Sequence, residues 1–478
     1  MSNTTYDIQR AVDTLTMRQP IHRNAGSYYQ GSHSEVFAHR RWSQMFRLNG
    51  TYVMNFCKTV VDTVLDRLEI STVSATTQKA QKAIDEMWEE NELMLDATEI
   101  HRNALVFGEC YAVVWPDEDG DVSITYNSPL TTIMIYDDEN PRVKRYAVKM
   151  WEEINSIGVK STRLNLYYAD RVEKYRRQGE LSVAGGSGAG GWMSPFEVVE
   201  NPFGEIPVFH FRTHRPYGTP EHESAIGPQD AINKLVNNHM LTVDYQGAPQ
   251  RYALSAFGNT SELEDFGDDD TIRENIEGLK NGPGELWYLN GVTQVGQFNP
   301  APPETFTKPV ESYVQSLASL TNTPLHFFKA GTVYGSGEAL RSAEAPLTKK
   351  VRDRQLSFGQ TWREVFKFAL KIEGIDADVQ VKWNSPESMD TTDAWNIAAI
   401  KKGMGISLVT ILTEMGYDTQ IAEEIAKDAE ASTAAGNMTT AAINPHNLAL
   451  HAQAEAEKQN QQDNAPADNT QNDTQEKK

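Results

Sequence analysis

An α+β fold is predicted by three features of the 478-residue chain. Apolar residues recur at helical steps up to about Glu99. Short β-branched and aromatic runs punctuated by turns follow between Ala104 and Ile135. Two helix-forming runs then flank an acidic, loop-rich insert between Ser224 and Phe328. At roughly 150 residues per domain, the length suggests about three structural units.

In the first segment Tyr52, Phe56, Val60 and Val64 stand four residues apart and define one helix face, with Asp62, Asp66 and Arg67 away from it. A second helix over Thr77–Asn91 places Ala80, Ile84 and Trp88 on its buried side. The runs CYAVVW, DVSITY and TTIMIY then read as strands, separated by Pro116–Gly120 and Asn127–Pro129. YAVKMW, LNLYY and VEKYRR extend them into an expected antiparallel meander on a helical base. Gly186, Gly188 and Gly191 match a dinucleotide-binding spacing, but Trp192 to Pro195 follow where that fingerprint needs a helix, so a surface hairpin loop is expected. Asn201-Pro202-Phe203-Gly204 turns the chain into the strand IPVFHF.

Gly227-Pro228 and Asp230 favour a helix start near Ser224. Ile232, Leu235, Val236, His239, Met240 and Val243 share its apolar face, while Asn233, Lys234, Asn237, Asn238 and Asp244 lie on a lightly charged polar side. His239 is expected to be packed rather than to act as a ligand. Between Asn259 and Lys280 the insert carries eight acids and two bases. These include Glu262, Glu264, Asp265, Asp268, Asp269 and Asp270, a solvated loop or a docking surface for a basic partner. The chain returns through Val310, Tyr313, Val314, Leu317 and Leu320 at helical spacing, with Thr305 or Thr307 as caps and Pro309 near the first turn.

A glycine-rich loop follows, containing Lys329, Thr332, Val333, Tyr334 and Ser336, and it lacks the Gly-Lys-Ser/Thr ending of a phosphate-binding loop. One long helix is predicted over Glu338–Glu373, with Leu340, Leu347, Val351, Phe358, Trp362, Val365, Phe366 and Leu370 apolar and a kink at Pro346. Lys349, Lys350, Arg352 and Arg354 form a basic set on it, a solvated face or a partner for a neighbour's acids. A strand, VQVKW, leads to helices from about Thr391, broken at Gly403-Met404-Gly405 and at Gly416. Beyond about Ala435 the chain is rich in Asn, Gln, Asp, Ala and Thr, too poor in apolar surface to offset ordering entropy, so disorder is expected over 436–478.

Composition narrows the function. Lys and Arg number 44 against 66 Asp and Glu, a net charge of -22 that argues against a general nucleic-acid coat or an anionic-membrane binder. Cys57 and Cys110 fit neither a metal site nor a disulfide framework and are expected as reduced core residues. The N-terminus lacks an apolar signal region and no run of about 18 apolar residues occurs, so synthesis in the cytoplasm without membrane insertion is expected. No catalytic residue, cofactor or metal site is predicted.

Several segments, in order, resemble the portal proteins of tailed bacteriophages, in particular those of long-tailed phages of actinobacteria. They are Tyr28-Tyr29-Gln30-Gly31, Val61 to Leu68, Phe107 to Asp117, Asn201 to Gly204, Gln229 to Lys234, Pro324 to Phe328 and Ser336 to Arg341. The resemblance spans roughly residues 25 to 390. It implies a portal fold: an N-terminal arm (1–25), an α+β wing (26–223), stem helices (224–246 and 305–328), a small α/β clip insert (247–304), a tunnel loop (329–337), a long kinked helix with a wing strand (338–390), a helical crown (391–435) and a disordered tail (436–478). It also implies a dodecameric ring at one capsid vertex that conducts double-stranded DNA without reading its sequence. The partners implied are the terminase, the major capsid or scaffolding protein, and head-tail connector (adaptor) proteins.

On that resemblance the tunnel loop and the stem positions Asn233, Lys234, Asn237 and Asn238 are channel-lining candidates, and the acids of the insert are docking candidates. A stem about 30 Å long spans roughly 18 phosphates, and a polar or mildly acidic wall lets them slide where a basic one would hold them. Lys234 and Lys329 would become rings of charge in an assembly, or point outward. A packaging enzyme and an acidic, non-portal interaction protein of low oligomeric state are the competing readings; the first lacks a Walker motif.

Overall fold

The computed structural model describes residues 2–33, 53–154, 158, 160–178, 192, 194–247, 251–255, 286–290, 294–297, 304–329, 331, 334, 336–387, 391–415 and 419–434. The chain divides into two units, Met1–Pro386 and Glu387–Lys478. The glycine run at 185–191 and the tail 436–478 lie outside the described residues.

The first unit begins with helix α1 (Ser2–Gln30), in the segment up to Glu99 that the sequence reads as mainly helical. Ile8, Ala11, Leu15, Gln19, His22, Ala25 and Tyr28 are its buried positions, at steps of three and four. Gln19 and His22 interrupt the apolar stripe and hide it from a hydropathy reading. Each is buried on a backbone carbonyl, Gln19 donating to Leu130 O at 2.8 Å and His22 Nδ1 lying 3.1 Å from Phe107 O.

Helix α2 (Phe56–Leu65) is capped by Asn55, whose side chain accepts from Lys58 N, and it buries Cys57, Val60, Val61, Thr63 and Val64. Tyr52 lies outside the described residues. Helix α3 (Gln78–Glu90) is capped by Thr77 and buries Ala80, Ile84 and Met87. The expected third position, Trp88, is only half-buried and stacks on Phe366 at 6.1 Å. Helix α4 (Leu93–Phe107) leads into the sheets. Cys57 and Cys110 are free, buried thiols, and burial pushes Cys57 up to about 12.

The strands form separate sheets instead of one meander. The pair β1 (Ile70–Ala75) and β13 (Val379–Trp383) is antiparallel. A three-stranded sheet has order β3-β2-β9, with β2 at Glu109–Pro116, β3 at Val122–Asn127 and β9 at Val208–Arg212. A five-stranded antiparallel sheet comprises β4 (Thr132–Tyr136), β5 (Lys144–Ile154), β6 (Lys160–Tyr167), β7 (Arg171–Gln178) and β8 (Glu197–Glu200). β2 is paired on both edges and buried through its first six residues, so CYAVV is a continuous apolar run and not the alternation of a meander strand. Its return partner β9 comes about a hundred residues later, past the whole second sheet.

Helix α7 (Gly337–Ile372) runs through the main core. Ser336 caps it by accepting from Ala339 N at 3.2 Å, and Pro346 lies within the helix. Leu347, Val351, Phe358, Trp362, Val365, Phe366 and Leu370 are buried as expected, against α2, α3, α4, β2 and β9; Leu340 is half-buried. A second apolar cluster seats α1 on the five-stranded sheet, and a third joins that sheet to β2 and β9 through Tyr111, Met134, Ala147 and Val208.

One buried carboxylate ties these layers together. Glu109 lies 2.8 Å from Arg18 Nε, 3.2 Å from His22 Nε2 and 3.1 Å from His210 Nε2, and it accepts from Gly218 N at 3.3 Å. Burial pushes its pKa up, but hydrogen bonds from His210 and His22 and the Arg18 charge outweigh this and hold it well below the usual range. The last contact needs glycine. Gly108, at φ +84°, and Gly218 pack backbone to backbone where any Cβ would collide with main-chain atoms.

The second unit holds α8 (Thr391–Gly403), α9 (Leu408–Glu414) and α10 (Thr419–Ala434), packed through Ala398, Ile411, Leu412, Ala422 and Ala426. The expected break occurs at Gly403-Met404-Gly405, with Gly405 at φ +87°. Gly416 lies outside the described residues. Among the described residues no helix is long and apolar enough to cross a membrane.

Candidate channel-lining hairpin and loop

Two antiparallel helices, α5 (Ile226–Gly247) and α6 (Glu304–Thr321), form the predicted hairpin. At 1.5 Å per residue they are about 33 and 27 Å long. A short 3₁₀ turn, Glu223–Ala225, precedes α5. Between the helices, β10 (Arg251–Ser255), β11 (Leu286–Asn290) and β12 (Gln294–Gln297) form a small sheet with β10 central, parallel to β11 and antiparallel to β12. The docking candidates Glu262, Glu264, Asp265, Asp268, Asp269 and Asp270 lie outside the described residues.

The base of the hairpin is fastened to α1 and α2. Ile232, Val314 and Leu317 are buried with Tyr28, Cys57, Val60 and Ala225, and Val236, Val310, Leu325 and Phe328 pack around them. Polar bonds complete the joint. Tyr28 donates to Asp230 Oδ1 at 2.8 Å, Gln229 Oε1 accepts from Phe56 N at 2.8 Å, and the Gln229 amide donates to Met54 O. Burial first, then the Asp230 contact, push the Tyr28 phenol well above its ordinary value.

The four stem candidates divide. Asn233 is buried, accepting from Met54 N at 3.0 Å with its amide nitrogen 3.1 Å from His33 Nε2, so it is part of the joint and not of a polar wall. Asn237 is half-buried and donates to Asn233 O of its own helix. Lys234 and Asn238 are exposed. Of the predicted apolar face, Ile232 is buried, Leu235, Val236 and His239 are half-buried, and Met240 and Val243 are exposed. His239 lies 5.3 Å from the Phe306 ring across the hairpin. On α6, Val314 and Leu317 are buried with Ala318 and Thr321, but Tyr313 and Leu320 are exposed. The helix starts at Glu304, so Thr305 and Thr307 are within it rather than capping it, and Pro309 is past the first turn.

The loop after α6 is held at its roots. A 3₁₀ turn, Leu325–Phe327, brings His326 Nε2 to 3.3 Å from the buried Glu344 of α7, whose other oxygen is 3.1 Å from Arg67. Tyr334 OH reaches His326 Nδ1 at 3.2 Å. Lys329 pairs with Glu311 of α6 at 3.0 Å, both more than half exposed. Ser336 is spent on the α7 cap, while Thr332 and Val333 lie outside the described residues.

The basic set on α7 departs from expectation. Lys350 Nζ and Arg354 Nε reach the two oxygens of buried Glu221 at 2.9 and 2.8 Å, and Lys350 also donates to Thr321 O at the end of α6. Burial raises the Glu221 pKa, but Lys350 and Arg354 outweigh that and hold it low. Two of the four bases therefore clamp the hairpin base within the chain; Lys349 and Arg352 are exposed. Sequence reading missed Glu221, because its partners lie more than 120 residues away and no local pattern marks it.

Electrostatically the hairpin is quiet. Asp230, Lys234 and Asp244 on α5 with Glu304, Lys308 and Glu311 on α6 give two positive and four negative charges, net -2. Among the described residues no group of His, Cys, Asp and Glu is arranged to hold a metal ion.

The described residues thus form a helical hairpin interrupted by a small sheet, fastened at one end to an α+β body and followed by an anchored loop root and a long core helix. The sequence matches the family described as phage portal protein, SPP1 Gp6-like, over residues 13–434, and the chain belongs to that family. It is 22% identical over 398 residues to the portal protein of Mycobacterium phage L5, covering 79% of this chain and 78% of that one. The portal protein of Mycobacterium phage D29 matches with the same identity and coverage. Among solved structures, a chain of the neck of a native gene transfer agent particle computed with C12 symmetry aligns with a TM-score of 0.40 at 11% identity, over 80% of this chain and 95% of that one.

Proposed function

We propose that copies of this chain close into a dodecameric ring at one vertex of a phage capsid, and that double-stranded DNA passes through it during packaging and ejection. The hairpin α5–α6 and the loop 329–337 line the passage. The observation that carries this reading is the hairpin's charge, net -2 in a chain of net -22. A helix about 33 Å long faces roughly 19 phosphates of duplex at one charge per 1.7 Å. A wall with few cations releases few counterions, so the duplex is guided without being held. Lys234, Asn238 and Lys329 are among the exposed polar positions offered to it.

The insert between the two helices docks the terminase motor during packaging and head-tail connectors afterwards, the major capsid or scaffolding protein surrounds the ring, and assembly takes place in the host cytoplasm. The chain supplies no hydrolytic step of its own.

Electron microscopy of the purified protein, with subunit counting by mass photometry, tests the ring. Rings of about a dozen subunits with a central hole are expected. A uniform monomer or dimer across salt conditions overturns the reading in favour of an interaction protein of low oligomeric state. An ATPase assay on the same sample should read background; turnover by the pure protein would overturn the non-enzymatic assignment.

A further inference from the structure

Among the described residues, the five-stranded sheet has one face covered over only part of its extent. Ala147, Tyr167, Val172 and Val199 occupy one cross-strand row of that face and lie in or against the cluster with β2 and β9. The next two rows continue the same face outward. One holds Lys149, Asn165, Lys174 and Glu197, the other Trp151, Arg163 and Arg176. None of these seven residues is buried.

Four cations stand here against two carboxylates, Glu153 and Glu197, a local charge of +2 in a chain of -22. Arg163 and Arg176 share Glu153 at 2.7 and 3.4 Å, and Lys174 pairs with Glu197 at 2.9 Å. Lys149 has no carboxylate among the described residues. Its ammonium sits 5.4 Å from the Trp151 ring centroid, and desolvation alone pushes its pKa down. A half-buried lysine is unfavourable without a counter-charge, and in so acidic a protein the absence of one is informative. Phe196, 52% exposed, lies under the Arg163 guanidinium at 5.1 Å and gives the patch a second aromatic surface.

We propose that this open half of the sheet is a docking surface for an acidic segment of another protein, one that carries apolar side chains beside its carboxylates. The carboxylates meet Lys149, Arg163 and Arg176, and the apolar side chains meet Trp151 and Phe196. Duplex DNA fits less well. An excess of two positive charges releases too few counterions to hold a duplex in physiological salt, and Glu153 and Glu197 interrupt the basic surface that a phosphate backbone would follow.

Fluorescence anisotropy on the full-length protein tests this, using a short labelled peptide that alternates glutamate with leucine and phenylalanine. Its glutamine counterpart and a short duplex DNA are the comparison probes. The glutamate peptide should bind, weaken in rising salt, and bind at least about tenfold more tightly than the glutamine peptide. Lys149→Glu and Arg176→Glu should each cost a similar factor; the exposed Arg176 position guards against a loss caused by misfolding, which melting checks directly. Absence of binding at the highest soluble concentration, equal binding of the two peptides, or reversals without effect would overturn the proposal. Tighter binding of the duplex would reassign the face to nucleic acid. Ring formation is measured on the same variants, so a ring that survives while peptide binding is lost separates this surface from the portal reading.

Discussion

The two ends of the α5–α6 hairpin are built from different materials. At the base, Ile232, Val314 and Leu317 are buried and every polar group described above has a designated partner: Tyr28 on Asp230, Gln229 on the 54–56 backbone, and Lys350 bridging Thr321 and Glu221. Farther along α5, Met240 and Val243 are exposed, and at the start of α6, which lies opposite that part of α5, Thr305 and Thr307 are exposed and uncharged. The base satisfies itself within one chain, and the outer surface does not. The hairpin is therefore fastened to the body through its base, leaving the remainder of the hairpin free to be specified by what it meets in an assembly.

The sharpest way to break this comparison is to remove Glu221. Its carboxylate is buried between Lys350 and Arg354, so Glu221→Ala leaves two cations desolvated with no counter-charge, and a loss of about 3–5 kcal/mol is expected. Urea or thermal melting measures it. A change under about 1 kcal/mol would mean that the two bases find other partners and that the base is not the stabilising end.

Acid should act on the same joint. His222, just before α5, places Nε2 3.0 Å from Ala25 O, and burial pushes its pKa down to about 4. Burial does the same to His210, to about 4, and to His101, to about 3. In the unfolded chain these groups take up protons below about pH 6.5, while in the folded protein they stay neutral until about pH 4 or below. Their stabilising neutrality is thus complete above about pH 6.5 and is lost as pH falls through that window, each costing up to about 1.4 kcal/mol per pH unit. Glu109 and Glu221, whose pKa values are depressed, contribute fully above about pH 4.3 and lose ground only below it. Between pH 6.5 and 4.5 the slope therefore belongs to the histidines. Denaturation midpoints should fall as pH drops across that range, and His222→Gln should flatten the fall.

The sequence shows the hairpin, the long helix and most strands because each is local: helical steps from Ile232 to Val243, the run Leu347 to Leu370, and the apolar stretch at Cys110. What it hides is long-range. The pairing of β2 with β9 splits an expected meander into two sheets, and no window of sequence contains both strands. The buried face of helix α1 is masked by Gln19 and His22, polar residues buried against the carbonyls of Leu130 and Phe107 far along the chain. At the site the same distinction recurs. Asn233 was read as a polar wall residue because asparagine on the face opposite an apolar stripe usually meets solvent, whereas here it meets Met54 and His33. Lys234 and Asn238, one and five residues on, are exposed as read.

The smallest expected effect sharpens the comparison from the other side. Lys329 and Glu311 form an ion pair at 3.0 Å whose members are 56% and 57% exposed, at the start of the loop after α6. Solvent screens such a pair, and the side-chain entropy needed to hold it nearly cancels the attraction. Lys329→Ala should therefore move the melting temperature very little, with a stability change within about 0.5 kcal/mol. Its consequence belongs to the assembly. If twelve copies place this lysine around a passage, the substitution removes a ring of cations and leaves Glu311 unpaired, making the wall more acidic at one level. DNA packaging or ejection rates should then change while the isolated subunit melts unchanged. A large fall in melting temperature would instead make Lys329, which follows Phe328 of the base cluster, part of the stabilising joint, and erase the contrast between that buried joint and the exposed surface beside it.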